Sequence, residues 1–99
     1  MSADWPTRRV MSISHAEFRH SLKPLGKFYP YRSDATGRKF TLQNGGGEIE
    51  IRLGQQGCKR IGALELPETV VEFSFHACTA EAIERFLSRF ELAFRRGGG

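Results

Sequence analysis

Three arginines near the end of the chain, Arg85, Arg89 and Arg96, are the first residues whose type and spacing suggest a chemistry. On a helix turning about 100° per residue, they fall in one narrow sector opposite Ile83, with Leu92 exposed between them. Forked guanidinium donors on a single stripe suit phosphate oxygens, which makes the stripe a candidate contact for nucleic acid or another polyanion. The competing account is a solvated helix face held by Glu81–Arg85 and Glu91–Arg95 pairs at i,i+4 spacing. A second set is Cys58, His76 and Cys78. His76 and Cys78 stand two apart near a strand end and point the same way in extended chain. If Cys58 approached from a neighbouring strand, the three could ligate zinc or support thiol chemistry. No CxxC or HExxH spacing reinforces that set, and His15 and His20 belong to no nucleophile signature. Asn44-Gly45-Gly46-Gly47 is not a phosphate loop, because no Lys-Ser/Thr follows and no helix begins there. The expectation is a chain with no bound metal and no cofactor.

Composition narrows the classes further. A chain of 99 residues with 39% hydrophobic and 26% charged residues is the size and make-up of one globular domain. The net charge of +4 and pI near 9.5 permit an acidic partner without demanding one. No apolar run approaches a membrane span, and the first residues lack the apolar stretch of a secretory signal, so a cytoplasmic address is expected. Cys58 and Cys78 then read as reduced thiols.

The elements that must carry these residues follow from periodicity. Residues 1–10 have none and read as a disordered leader. Ser14 and Glu17 form the S-x-x-E pattern of a reciprocal helix cap, with Ile13 and Phe18 placed to staple the entrance. Phe18, Leu22 and Leu25 continue an apolar side until Pro24 ends the helix near Lys23. The period then changes to two. Phe28–Tyr31 reads as an edge strand, Ser33–Gly37 as a turn, and Phe40 and Leu42 as the apolar face of a second strand. Asn44–Gly47 reverses the chain into the alternation of Ile49, Ile51 and Leu53. Gly54-Gln55-Gln56-Gly57 reads as the next turn, Cys58–Leu66 as a strand with a bulge at Gly62, and Pro67-Glu68 as another reversal. Val71, Phe73 and Phe75 form the last strand. Thr79 caps a closing helix whose stripe is Ile83, Phe86, Leu87, Phe90 and Phe94.

The whole reads as an α+β domain over residues 11–96: an N-terminal helix, four to five meandering antiparallel strands, and a C-terminal helix. Both helices cover one sheet face. The free face carries Glu48, Glu50, Glu65 and Glu72 against Lys39 and Arg52, a polarity suited to self-association or a protein partner. Residues 97–99 form a flexible glycine tail. Arg95-Arg96-Gly97-Gly98-Gly99 resembles the tails of ubiquitin-like modifiers and sulfur carriers, a resemblance that implies an activatable terminal carboxylate. Those families reach the tail from a strand, whereas here it leaves a helix, where glycines serve equally as a stop. With no catalytic signature, the sequence points to a non-enzymatic binding or protein-interaction module. Nucleic-acid or polyanion binding through Arg85, Arg89 and Arg96 is the alternative, and metal or thiol chemistry at Cys58, His76 and Cys78 the second.

Overall fold

Among the described residues the first element is a strand, not a helix. The computed structural model describes residues 8–98, with side chains through residue 95. Strand β1 (Arg8–Met11) lies antiparallel to the last strand, with Arg9 opposite Val71 and Val10 opposite Val70. Residues 8–10 of the expected leader are therefore part of the sheet, and the remainder of that leader lies outside the described residues. The cause is visible in the side chains. Arg9 lays its guanidinium 5.8 Å from the Phe73 ring and 5.5 Å from the Phe90 ring, and pairs with Glu91 at 2.6 Å. A long stem lets arginine occupy a core-facing position that apolar periodicity does not reveal.

Helix α1 (His15–Leu22) starts where its cap predicts. The Ser14 hydroxyl accepts from the Glu17 amide at 3.1 Å, and the Glu17 carboxylate accepts from the Ser14 amide at 3.0 Å. Past Leu22 the chain tightens into a 3₁₀ helix (Lys23–Lys27) that accommodates Pro24 near its start. Strand β2 is Tyr31–Ser33, an edge strand as expected but shifted past Pro30. In the turn that follows, the Thr36 hydroxyl donates to Asp34 at 2.8 Å and holds its carboxyl below the usual value, with the amides of Arg38, Lys39 and Gly37 adding to the effect.

Strand β3 (Lys39–Asn44) reverses at Gly45-Gly46 into β4 (Gly47–Ile61). Positive φ at Gly45 alone of that pair matches the turn type that wants glycine first. Strand β4 does not stop at Gly54. It runs on and returns as β5 (Leu64–His76) through Gly62-Ala63, with Gly62 at φ 60°. The expected turn at residues 54–57 is instead a bulge. Leu53 pairs with Val71 and Gln56 with Thr69, so Gly54 and Gln55 share one opposing residue, Val70. Likewise Pro67-Glu68 does not reverse the chain, since Pro67 sits in register with Cys58. Both glycine-bounded pieces read locally as turns, but the ladder absorbs them.

The sheet order is β1-β5-β4-β3-β2, every pair antiparallel. Helix α2 (Ala80–Gly98) closes the chain, with the Thr79 hydroxyl accepting from the Ala82 amide at 3.1 Å. It continues through Gly97 and Gly98, two residues of the expected flexible glycine tail. Phe18 and Leu22 of α1 and Ile83, Phe86 and Phe90 of α2 are buried with Phe40, Leu42, Ile49, Ile51, Val71 and Phe73 of the sheet. The sheet residues in that group all belong to one face by register, so both helices cover it. Phe73 and Phe90 share the core, their rings edge to face with centroids 5.2 Å apart. Among the described residues, no helix is long and apolar enough to cross a membrane.

Candidate functional site

The arginine stripe is where the helix periodicity places it, but its members differ in kind. Arg85 is exposed. Arg89 is half-buried: its guanidinium lies 4.1 Å from the Phe28 ring and 5.7 Å from the Tyr29 ring, and donates to the Tyr29 hydroxyl at 3.4 Å. The backbone of Arg96 continues the helix, and its side chain lies outside the described residues. The pairing expected between Glu91 and Arg95 is displaced, since Glu91 is taken by Arg9.

What Arg89 stands on borders a concavity on the helix side. An open groove of about 340 Å³ runs between the 3₁₀ helix and α2, lined by Pro24, Leu25, Phe28, Arg89, Leu92 and Ala93. Phe28 is 56% exposed and Leu92 63% exposed, two large apolar side chains on one depression. The local sequence explains the geometry. Proline near the start of the 3₁₀ helix tightens the chain after Leu22, Leu25 turns into the core, and Phe28 is left at its end beside α2. The two elements that flank the groove carry further cations. Lys23 and Lys27 are exposed on the 3₁₀ helix, and Arg85 lies one turn before Arg89. From Phe18 to Ser33 the chain has no aspartate or glutamate at all. Sequence reasoning singled out the arginines and Leu92 but missed Phe28, Lys23 and Lys27. The acid-free stretch was the available signal for them.

On the free sheet face the charged residues pair across strands. Lys39 pairs with Glu50 at 3.2 Å and Arg52 with Glu72 at 3.5 Å, while Arg8 approaches Glu72 at 4.0 Å and His76 approaches Glu50 at 3.9 Å. Glu65 is not on that face. It pairs with Arg60, its register partner, on the helix side of the sheet.

Cys58, His76 and Cys78 are not brought together. From Pro67, the register partner of Cys58, to His76 the strand advances about 30 Å. The Cys78 thiol donates to the Glu48 and His76 carbonyls at 3.6 and 3.5 Å, and its residue packs against the core. Both cysteines are free, and the described residues contain no cluster of three metal-ligating side chains. His15 has a structural partner in the Gly54 carbonyl, 2.8 Å from its Nε2, which ties the start of α1 to the β4 bulge. Comparison of the chain with protein-family models, with curated proteins and with solved structures finds no match.

Proposed function

We propose that this chain is a non-enzymatic protein-interaction module whose groove between the 3₁₀ helix and α2 takes an acidic, amphipathic protein segment. An apolar side chain of the partner seats among Pro24, Phe28 and Leu92, while its carboxylates meet Lys23, Lys27, Arg85 and Arg89. The observation that carries this reading is the pairing of Phe28 and Leu92, both more than half exposed, on one open apolar groove. Leaving Phe28 half in water forgoes about 1 kcal/mol of burial, which a partner recovers. The guanidinium stacked on Phe28 keeps the ring in place and offers its free edge to a carboxylate.

Nucleic-acid binding through Arg85, Arg89 and Arg96 has one observation in its favour, since Phe28 beside Arg89 supplies an aromatic surface for a base. Single-strand binders stack successive bases on several aromatics along a charged track, and here one ring stands at an apolar groove. The protein segment is the better fit.

Amide chemical-shift titration tests the choice with two probes: a labelled helical peptide bearing Leu and Glu at i,i+3 and i,i+4 positions, and an oligothymidylate. The peptide is expected to shift Leu25, Phe28 and Leu92, and Phe28→Ala to abolish its binding. Oligothymidylate binding near physiological salt, lost on changing Arg85, Arg89 and Arg96 together to Gln, with no response to the peptide, would exchange the two readings.

A further inference from the structure

Beyond Arg52, strand β4 has no neighbour from β3, and before Thr69, strand β5 has none from β1. Residues 57–61 and 64–68 are thus a two-stranded arm, reaching about 20 Å from the Gln56–Thr69 pair to the tip by strand rise alone. The molecule measures 46 × 28 × 23 Å. Two-stranded hairpins are marginal in water by themselves. This one also holds Ile61 at 53% exposure and Leu64 at 62%.

The bulge decides which way these residues point. Without it, Ile61 would share the face of Ile49, Ile51 and Leu53. One extra residue at Gly54-Gln55 shifts the phase and moves Ile61 to the open face of the sheet. Unbroken alternation along β5 puts Leu64 and Leu66 there too, with Glu68 and Val70. Four rows result, counted from the tip: Ile61 with Leu64, Lys59 with Leu66, Gly57 with Glu68, and the Gly54-Gln55 bulge with Val70. Val10, 53% exposed, stands beside Val70 on β1. Apolar side chains therefore occupy both ends of the arm's open face, and opposite charges lie between them. Among the described residues neither Lys59 nor Glu68 has an ion-pair partner.

We infer that this face is an interface between two copies of the chain. A two-fold axis between the second and third rows reverses their order, so that the tip of each arm lies on the base of the other. Leu64 then meets Val70 and Val10 of the second copy, and Ile61 lies over Gly54, where there is no side chain to obstruct it. Lys59 lies over Gly57, equally open, with Glu68 on the adjacent strand. The same contacts recur with the copies exchanged, as an isologous interface requires. Leu66 lies over the stem of Glu68, whose carboxylate reaches across to Lys59; the face thus pairs with itself at its apolar ends and through its one pair of opposite charges, and that argues for a second copy over an unrelated partner. The groove behind Phe28 lies in the helix layer, so this inference stands independently of it.

Sedimentation equilibrium and native mass spectrometry test the inference on the full chain. Wild type is expected at twice 11.2 kDa, and Leu64→Lys at the single-chain mass with unchanged circular dichroism. Lys59→Glu and Glu68→Lys should each weaken the dimer on the order of tenfold, because symmetry makes each contact twice. Combining them restores opposite charges across the interface and should recover most of that loss. A wild type that is monomeric at every soluble concentration would overturn the inference, as would a Leu64→Lys dimer as tight as wild type. If Leu64→Lys fails to fold, the charge reversals decide: a double variant no tighter than the singles refutes the proposed alignment.

Discussion

Replacing Arg9 by alanine tests whether the start of the chain is held by the core. Arg9 makes three contacts, two to α2 and one to β5: the Glu91 pair at 2.6 Å and the faces of Phe90 and Phe73 at 5.5 and 5.8 Å. The ion pair is partly exposed, so screening limits it to about 0.5 kcal/mol. Each cation–π contact at such a site contributes about 0.5–1 kcal/mol. Arg9→Ala should therefore cost about 2 kcal/mol, or roughly 10 °C in melting temperature for a domain of this size. Urea unfolding should show a lower midpoint with an unchanged slope, since the surface exposed on unfolding hardly differs. Glu91→Gln should cost about 0.5 kcal/mol by itself, and Arg9→Lys should fall between wild type and alanine because it keeps the charge but not the flat stacking surface. A chain starting at Met11 should lose at least as much as Arg9→Ala. If Arg9→Ala melts with wild type, β1 does not dock in solution and residues 1–10 are the loose leader their composition suggests.

Two further substitutions probe the packing. Phe90 is fully buried, with ring centroids of Phe94, Phe73, Phe86 and Phe18 at 4.2, 5.2, 6.0 and 6.1 Å; Phe90→Ala should cost about 3–5 kcal/mol in chemical denaturation, and a loss below about 1 kcal/mol would mean α2 is not seated as described. A Cβ at Gly47 would stand 2.5 Å from the Ala77 carbonyl oxygen and 2.6 Å from that of His76; the clash should outweigh the entropic gain of alanine, so that Gly47→Ala destabilises by about 1–2 kcal/mol, whereas a stabilised variant would show that the end of β5 yields freely.

The parts of the fold legible in the sequence are those where side-chain chemistry and burial agree. Ser14 and Glu17 cap α1, Thr79 caps α2, and Ile49, Ile51 and Leu53 point into the core as their alternation requires. The β4–β5 hairpin was not legible, because its outer half has no core to impose a period. Gly54-Gln55-Gln56-Gly57 and Pro67-Glu68 have the composition of turns, and only their register partners reveal a bulge and a straight strand. The true turn needs one glycine at φ 60°, and Gly62 by itself reads equally as a bulge. Strand β1 was hidden for another reason: of its two inward residues, one is arginine.

The candidate site divides in the same way. Helical periodicity alone places Arg85, Arg89 and Leu92 on one sector, but their chemistry depends on what the 3₁₀ helix brings beside them. Arg89 reads as a free cation until Phe28 and Tyr29 lie against it, and these contacts span about sixty residues of chain. A phosphate-binding stripe and an acidic-peptide groove use the same cations; the apolar floor between them favours the peptide. The two proposed surfaces lie on opposite layers, the groove among the helices and the arm on the open sheet. A dimer built through the arms leaves both grooves accessible, so each dimer would present two acceptor sites to a partner. Linking sites in this way strengthens attachment to a multivalent surface and leaves affinity for a free single peptide unchanged. Leu64→Lys should therefore weaken capture of the dimer by a densely immobilised acidic peptide while the solution titration of the same peptide stays as in wild type. Equal losses in both formats would place the arm inside the peptide site and contradict the separation of the two faces.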